Sequence, residues 1–198
     1  MTRVANSLPE GLLLQAASDL RILLKDGQFI SSIENEEIAI ISDRAIHDIP
    51  WPRTRWIEHL CADEPGTFSQ EELSYLVAHR DPIFSLYEVL EMNRQQCARV
   101  RLRDVLRGGE VVLMDVGISI SSRPGHFLAT RVISWNEIHF TCGVGLPFSP
   151  EQGKGLVDNF IWLHEQKKAL MGWDEMMRRY AGRFYLEYRR SDRKVLFV

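Results

Sequence analysis

Between Phe84 and Gly145 one pattern recurs five times: a short run rich in β-branched and aromatic residues, then a break. The runs are FSLYEVLEMN, VRLRDVL, EVVLMDV, GHFLATRVI and EIHFTCGVG, and the breaks include Arg107-Gly108-Gly109-Glu110, Arg123-Pro124-Gly125-His126 and Ser134-Trp135-Asn136. Gly and Pro at such breaks stop a strand and turn the chain, so the segment predicts five short strands with tight connections. A sheet this small leaves its edges open unless it closes on itself, which predicts a five-stranded small β-barrel of the SH3 or OB type. Within Arg99-Val100-Arg101-Leu102-Arg103 the alternation puts three arginines on one face and Val100 and Leu102 on the buried one.

Helical signals flank this region. Ser7-Leu8-Pro9-Glu10 supplies a cap and an early proline for a helix carrying Leu12, Leu13, Ala16, Ala17, Leu20 and Leu24, with Gly27 as its stop. Residues 34–49 place Ile38, Ile41, Ala45 and Ile49 on one helical face, although the Ile-Ala-Ile-Ile run also fits a strand, and Trp51-Pro52 ends the segment. A short helix is predicted over 55–61. Ser69 and Glu72 have the spacing of a capping box, with Phe68 set to staple onto Leu73, and that helix should end near His79. Ser149, Pro150 and Gln152 repeat the start signal for a helix to about Met171. A second helix is predicted over 174–188, and residues 194–198 form an apolar end. The expectation is an α+β protein: a helical region over 1–81, the barrel over 82–150, and C-terminal helices over 151–198 packed on it.

Composition narrows the class. Of 198 residues, 45% are apolar and 26% charged, ordinary for a globular chain. Charges such as Asp19 and Arg21 interrupt the apolar runs, so no segment offers the ~20 apolar residues of a membrane span, and no secretory signal is legible. Cys61, Cys97 and Cys142 are widely spaced and lack CxxC pairing, which points to reduced thiols, no zinc knuckle and a cytoplasmic setting. Residues 151–198 carry ten Lys or Arg against seven Asp or Glu, so the basic end is C-terminal although the net charge is −3.

Candidate chemistry is sparse. Asp43 and His47 lie one helical turn apart with Asp48 adjacent, which reads either as a carboxylate-oriented imidazole or as a solvated helix face, and the second is expected. His59-Leu60-Cys61 puts two metal-binding side chains at i and i+2, which diverge on a helix, and no second pair completes a site. Gly143-Val144-Gly145 and Gly153-Lys154-Gly155 lack the spacing of a phosphate loop, so they read as flexible glycines. His126 and His139 stand beside turns on strands. No catalytic residue, cofactor or metal is assigned. The richest stretch is C-terminal: Arg178, Arg179, Arg183, Arg189 and Arg190 are interleaved with Tyr180, Phe184, Tyr185 and Tyr188. Arginine contacts phosphate and aromatic rings stack on bases, so Arg178, Arg179, Arg183, Tyr185, Arg189 and Arg190 are the candidate binding residues. Tyr180, Phe184 and Tyr188 also have the i, i+4 spacing of a core stripe, which is the favoured alternative.

Residues 81–150, with Asp81-Pro82-Ile83-Phe84-Ser85-Leu86-Tyr87-Glu88, Arg101-Leu102-Arg103-Asp104-Val105-Leu106, Gly109-Glu110, Arg123-Pro124-Gly125 and Leu128-Ala129-Thr130-Arg131-Val132, resemble a region of uncharacterised bacterial proteins. Some of those carry a cysteine-rich zinc tail like that ending the preprotein translocase ATPase. This chain lacks the cysteine cluster, so the resemblance implies a bacterial source and the barrel, and no metal site or activity.

The resulting expectation is a non-enzymatic cytosolic interaction module, with a protein partner or a second copy favoured over nucleic acid because the net charge is negative. The alternatives are single-stranded nucleic-acid binding through the C-terminal segment, and a hydrolase or transferase using His47 or His126 between barrel and helices. Trp51, Trp56 and Trp135 serve either as interface anchors or as core residues.

Overall fold

The computed structural model describes Val4 and residues 7–23, 35–62, 68–93 and 98–191. It is mixed α and β, with eight helices and five strands among the described residues. The chain divides into two compact units, residues 1–82 and 83–198. None of the described helices is long and apolar enough to cross a membrane.

Unit 1 is built from α1 (Glu10–Asp19), α2 (Asn35–His47), α3 (Trp56–Ala62) and α4 (Gln70–Ala78). The expected Ser7 cap is not made. Pro9 holds the N-cap position of α1, and the Ser7 hydroxyl, two residues further out, donates instead to the Val4 carbonyl at 2.8 Å. The expected stop at Gly27 lies outside the described residues; α1 already ends at Leu20 and Arg21, the latter in the left-handed region at φ 54°. The residues that fitted either helix or strand form α2; of the expected face Ile41, Ala45 and Ile49 are buried, while Ile38 is exposed and Ile40 is buried in its stead. The capping box of α4 is present: the Glu72 amide donates to Ser69 Oγ at 3.2 Å, and the Ser69 amide donates to the Glu72 carboxylate at 2.8 Å.

Unit 2 contains β1 (Phe84–Asn93), β2 (Arg99–Asp104), β3 (Glu110–Met114), β4 (Phe127–Trp135) and β5 (Ile138–Phe148), each on an expected run. They hydrogen-bond in the closed order β1-β2-β3-β5-β4. Four of the five seams are antiparallel; β3 and β5 run parallel and meet at the single pair Leu113–His139. Tyr87, Val89, Val100, Leu102, Leu113 and Leu128 fill the interior. One element departs from expectation. Glu110–Val116 read as a strand, but Asp115 accepts from the Ile118 amide at 2.9 Å and caps α5 (Val116–Ser121), whose Ile118 packs onto the interior cluster.

Asn136 and Glu137 join β4 to β5 with φ of 48° and 62°, the signature of a type I′ turn. A Glu held there is strained where glycine is not. Glu137→Gly is therefore expected to raise stability by about 1 kcal/mol, read from chemical denaturation, because the released strain exceeds glycine's extra entropy in the unfolded chain.

Three helices cover one side of the sheet: α6 (Pro150–Lys167), α7 (Trp173–Tyr180) and α8 (Gly182–Arg190). Ser149 and Gln152 form the expected box, with Pro150 at the first helical position. The single helix expected over 174–188 is two, broken at Ala181 before Gly182, the weakest helix former available short of proline. After that break Phe184 stacks on Phe160 with centroids 4.4 Å apart and approaches Phe84 at 6.1 Å, while Tyr188 meets Phe148 edge-on at 6.4 Å.

Candidate binding surfaces

The outer face of the closed sheet follows from its register. Leu113 points inward, so its neighbours Val112 and Met114 point outward, and the Leu113–His139 pair sets Val112 beside Ile138. Across β2, Val112 lies opposite Arg101 and Met114 opposite Arg99; across β4, Ile138 lies opposite the half-buried Trp135. Val112, Met114 and Ile138 are 43%, 42% and 42% exposed, and Val116 and Ile120, one turn apart on α5, are 65% and 61% exposed. Scattered apolar side chains on a surface need no explanation; a run joined through neighbouring strands and the helix that follows does. Its border alternates arginine and glutamate. Arg101 is shared between Glu91 at 3.1 Å and Glu110 at 3.7 Å, and Arg103 pairs with Glu88, whereas Arg99 has no ion pair among the described residues.

The C-terminal candidates separate into core and surface. Tyr185 is 2% exposed, so its ring belongs to the packed layer and offers no face for stacking. Arg189 lies over that ring at 5.9 Å, and Arg190 pairs with Glu187 at 3.6 Å. Arg178 is half-buried on α7. Arg179 and Arg183 are exposed and lie over the ring of half-buried Tyr180 at 6.0 and 5.3 Å. Tyr180, one of the aromatics interleaved with the arginines and also a member of the expected core stripe, is not among the six candidate binding residues; its place one residue after Arg179 and three before Arg183 is the signal for this cluster. Of that stripe only Phe184 is fully buried.

A polar knot closes the β2–β3 hairpin. Buried Asp104 accepts from Ser85 Oγ at 2.9 Å, from the Leu106 and Arg107 amides at 3.1 and 2.9 Å, and from Arg107 Nε at 3.1 Å. Arg107 also reaches Asp174 on α7 at 3.3 Å. Burial, and then the Asp104 charge, push the Tyr87 phenol up to about 12. The knot is saturated, which suits a structural clasp better than a proton-transfer site.

In unit 1 the expected solvated face of α2 is instead interior, because α2 packs against both α1 and α3. His47 Nε2 lies 3.7 Å from Asp43 Oδ1, and its ring stacks on that of His79 with centroids 5.6 Å apart. Arg44 pairs with Asp19 at 2.8 Å and with Asp48 at 3.9 Å. The His59 ring nitrogen lies 2.7 Å from the Trp51 carbonyl, and burial raises the Cys61 thiol. Among the described residues no group of three or more His, Cys, Asp or Glu is arranged to hold a metal.

The glycine pair of α6 is not a matched flexible turn. A Cβ on Gly153 would sit 2.0 Å from the Phe127 ring, while one on Gly155 would meet nothing within 4 Å. Gly153 is thus the contact through which α6 approaches β4. His126 is half-buried ahead of β4, and His139 Nδ1 lies 2.7 Å from Ser134 Oγ across the β4–β5 hairpin.

No curated protein and no solved structure matches the chain. A family model matches residues 2–197, and the chain belongs to that family, a family of unknown function (DUF7986).

Proposed function

We propose that the protein is a non-enzymatic interaction module in which a small barrel of the SH3 or OB type presents its outer face to a protein partner. The observation that carries this reading is the exposed apolar run of Val112, Met114, Val116, Ile120 and Ile138. Arg99 at its border sets the chemistry of the occupant: an apolar centre flanked by carboxylate. Aromatic residues, Met and Arg are the types enriched where protein interfaces are buried; here Met114 lies opposite Arg99 across the β2–β3 seam, and Trp135 lies opposite Ile138 across the β4–β5 seam.

The test is photo-crosslinking in the source cell from a benzoylphenylalanine placed at Ile138, beside one placed at the exposed Ile161 of α6. One recurrent protein adduct from position 138, absent from position 161, is the expected result. If that adduct is the chain itself, the occupant is a second copy. The same adducts from both positions would remove the face from consideration.

A further inference from the structure

Helix α6 has two contrasting faces. Gly153, Leu156, Phe160 and Leu163 are buried, while Glu151, Lys154, Asp158, Ile161, Trp162 and Glu165 recur at three- and four-residue spacing on the opposite side and are all exposed. Trp162 is 63% exposed and Ile161 46%. Tryptophan is among the residue types that carry most of the binding energy at protein interfaces.

The charges on this stripe are ordered. From the N-terminal end they read Glu151, Lys154 and Asp158, then the apolar pair, then Glu165 and Lys168. Glu165 and Lys168 pair with each other, whereas Glu151, Lys154 and Asp158 have no ion pair among the described residues. A second copy laid parallel and in register would set each charge against its own kind. An antiparallel copy, turned about the midpoint between Asp158 and Ile161, sets Lys154 opposite the partner's Glu165. The same register sets Glu151 opposite the partner's Lys168, and twofold symmetry repeats both pairs.

That register also brings Trp162 over the partner's Gly155 and Asp158. Gly155 is exposed, and a Cβ there would meet nothing within 4 Å in its own chain, so packing within the chain does not account for a helix-weakening residue at this position. Against a second copy the missing side chain leaves a socket for the indole, and the Asp158 carboxylate is the acceptor for its N–H.

We infer that the protein forms an antiparallel twofold dimer through the exposed face of α6, with Trp162 of each copy seated over Gly155 of the other. This goes beyond the docking reading and uses none of the residues of that face. A contact between two helices lies at the small end of the interface range, below about 1,200 Å² in total, so the dimer is reversible, with a Kd on the order of 10 µM.

The test is sedimentation of the full chain from about 1 to about 300 µM, a range that brackets such a Kd. The average mass should rise from one chain towards two. Trp162→Ala should weaken association at least ~30-fold, as loss of a central anchor does. Lys154→Glu and Glu165→Lys each set like charges against one another, and each alone should weaken it by roughly 10-fold. Mixed in equal amounts, these two variants should associate about as tightly as the parent, because every cross-pair between them is then of opposite charge. Recovery on mixing also shows that neither variant had lost its fold. Val112→Lys/Ile138→Lys should dimerise as the parent does. A chain that stays monomeric throughout overturns the inference, as does a dimer indifferent to Trp162→Ala or a mixture no tighter than its components. Dimerisation lost in Val112→Lys/Ile138→Lys also overturns it, and would assign self-association to the outer face of the barrel.

Discussion

Gly153→Ala is expected to destabilise the protein by about 3 kcal/mol, the upper part of the range for overpacking a tight contact. For a chain of this size that lowers the melting temperature by roughly 6–12 °C. The cause is a clash with no soft exit: the added methyl would lie 2.0 Å from Phe127 Cδ2 and 2.2 Å from Cγ. Phe127 is itself buried on β4, so relief requires α6 to lift from the sheet and open the layer holding Phe160 and Phe184. Gly155→Ala is the control, with the opposite sign. It lies two residues on in the same helix, exposed, with nothing near the new methyl, so it should gain about 0.5–1 kcal/mol from helix propensity. Equal effects in thermal melts of the two variants would contradict the close packing of α6.

Asp104→Ala is the second large effect, a loss of about 3 kcal/mol in chemical denaturation. The carboxylate accepts four hydrogen bonds at once, from Ser85, from the Leu106 and Arg107 amides and from the Arg107 side chain. Removing it strands buried donors and leaves Arg107 with the exposed Asp174 alone, and breaking a buried pair typically costs about 3–5 kcal/mol. The lower end applies because the Arg107 side chain is 29% exposed. Asp104→Asn keeps an acceptor for Ser85 and the two amides while losing the ion pair, so about half the loss is expected, near 1–2 kcal/mol. A full loss in the asparagine variant would assign the clasp to charge; no loss in the alanine variant would remove it.

What was legible in the sequence was local. The Ser69–Glu72 and Ser149–Gln152 boxes are set by residues three apart, and the alternating Arg99–Arg103 face needs only a strand. The five strands were readable because breaks and β-branched runs alternate. The short helix α5 was not, since Ile118-Ser119-Ile120-Ser121 alternates like a strand and its helical state is fixed by the Asp115 cap. Chain-distant contacts account for the other departures. Nothing near Gly153 reveals Phe127, and the polar residues of α2 look solvated until two neighbouring helices cover them. The exposed apolar face is hidden in Val111-Val112-Leu113-Met114, a continuous apolar run that reads as buried on both sides. Only the register shows that Val112 and Met114 face outward.

That register makes the central claim measurable. With the crosslinked partner purified, its affinity should be compared for the parent chain and for Val112→Lys/Ile138→Lys, after circular dichroism and melting show both chains folded. Two interface positions at the centre of a docking face should together cost at least about 2 kcal/mol, or roughly 30-fold in Kd. Arg99→Glu should weaken binding further, by charge reversal against the partner's carboxylate. An unchanged Kd in the folded double variant would contradict the account and leave the face as surface without an occupant.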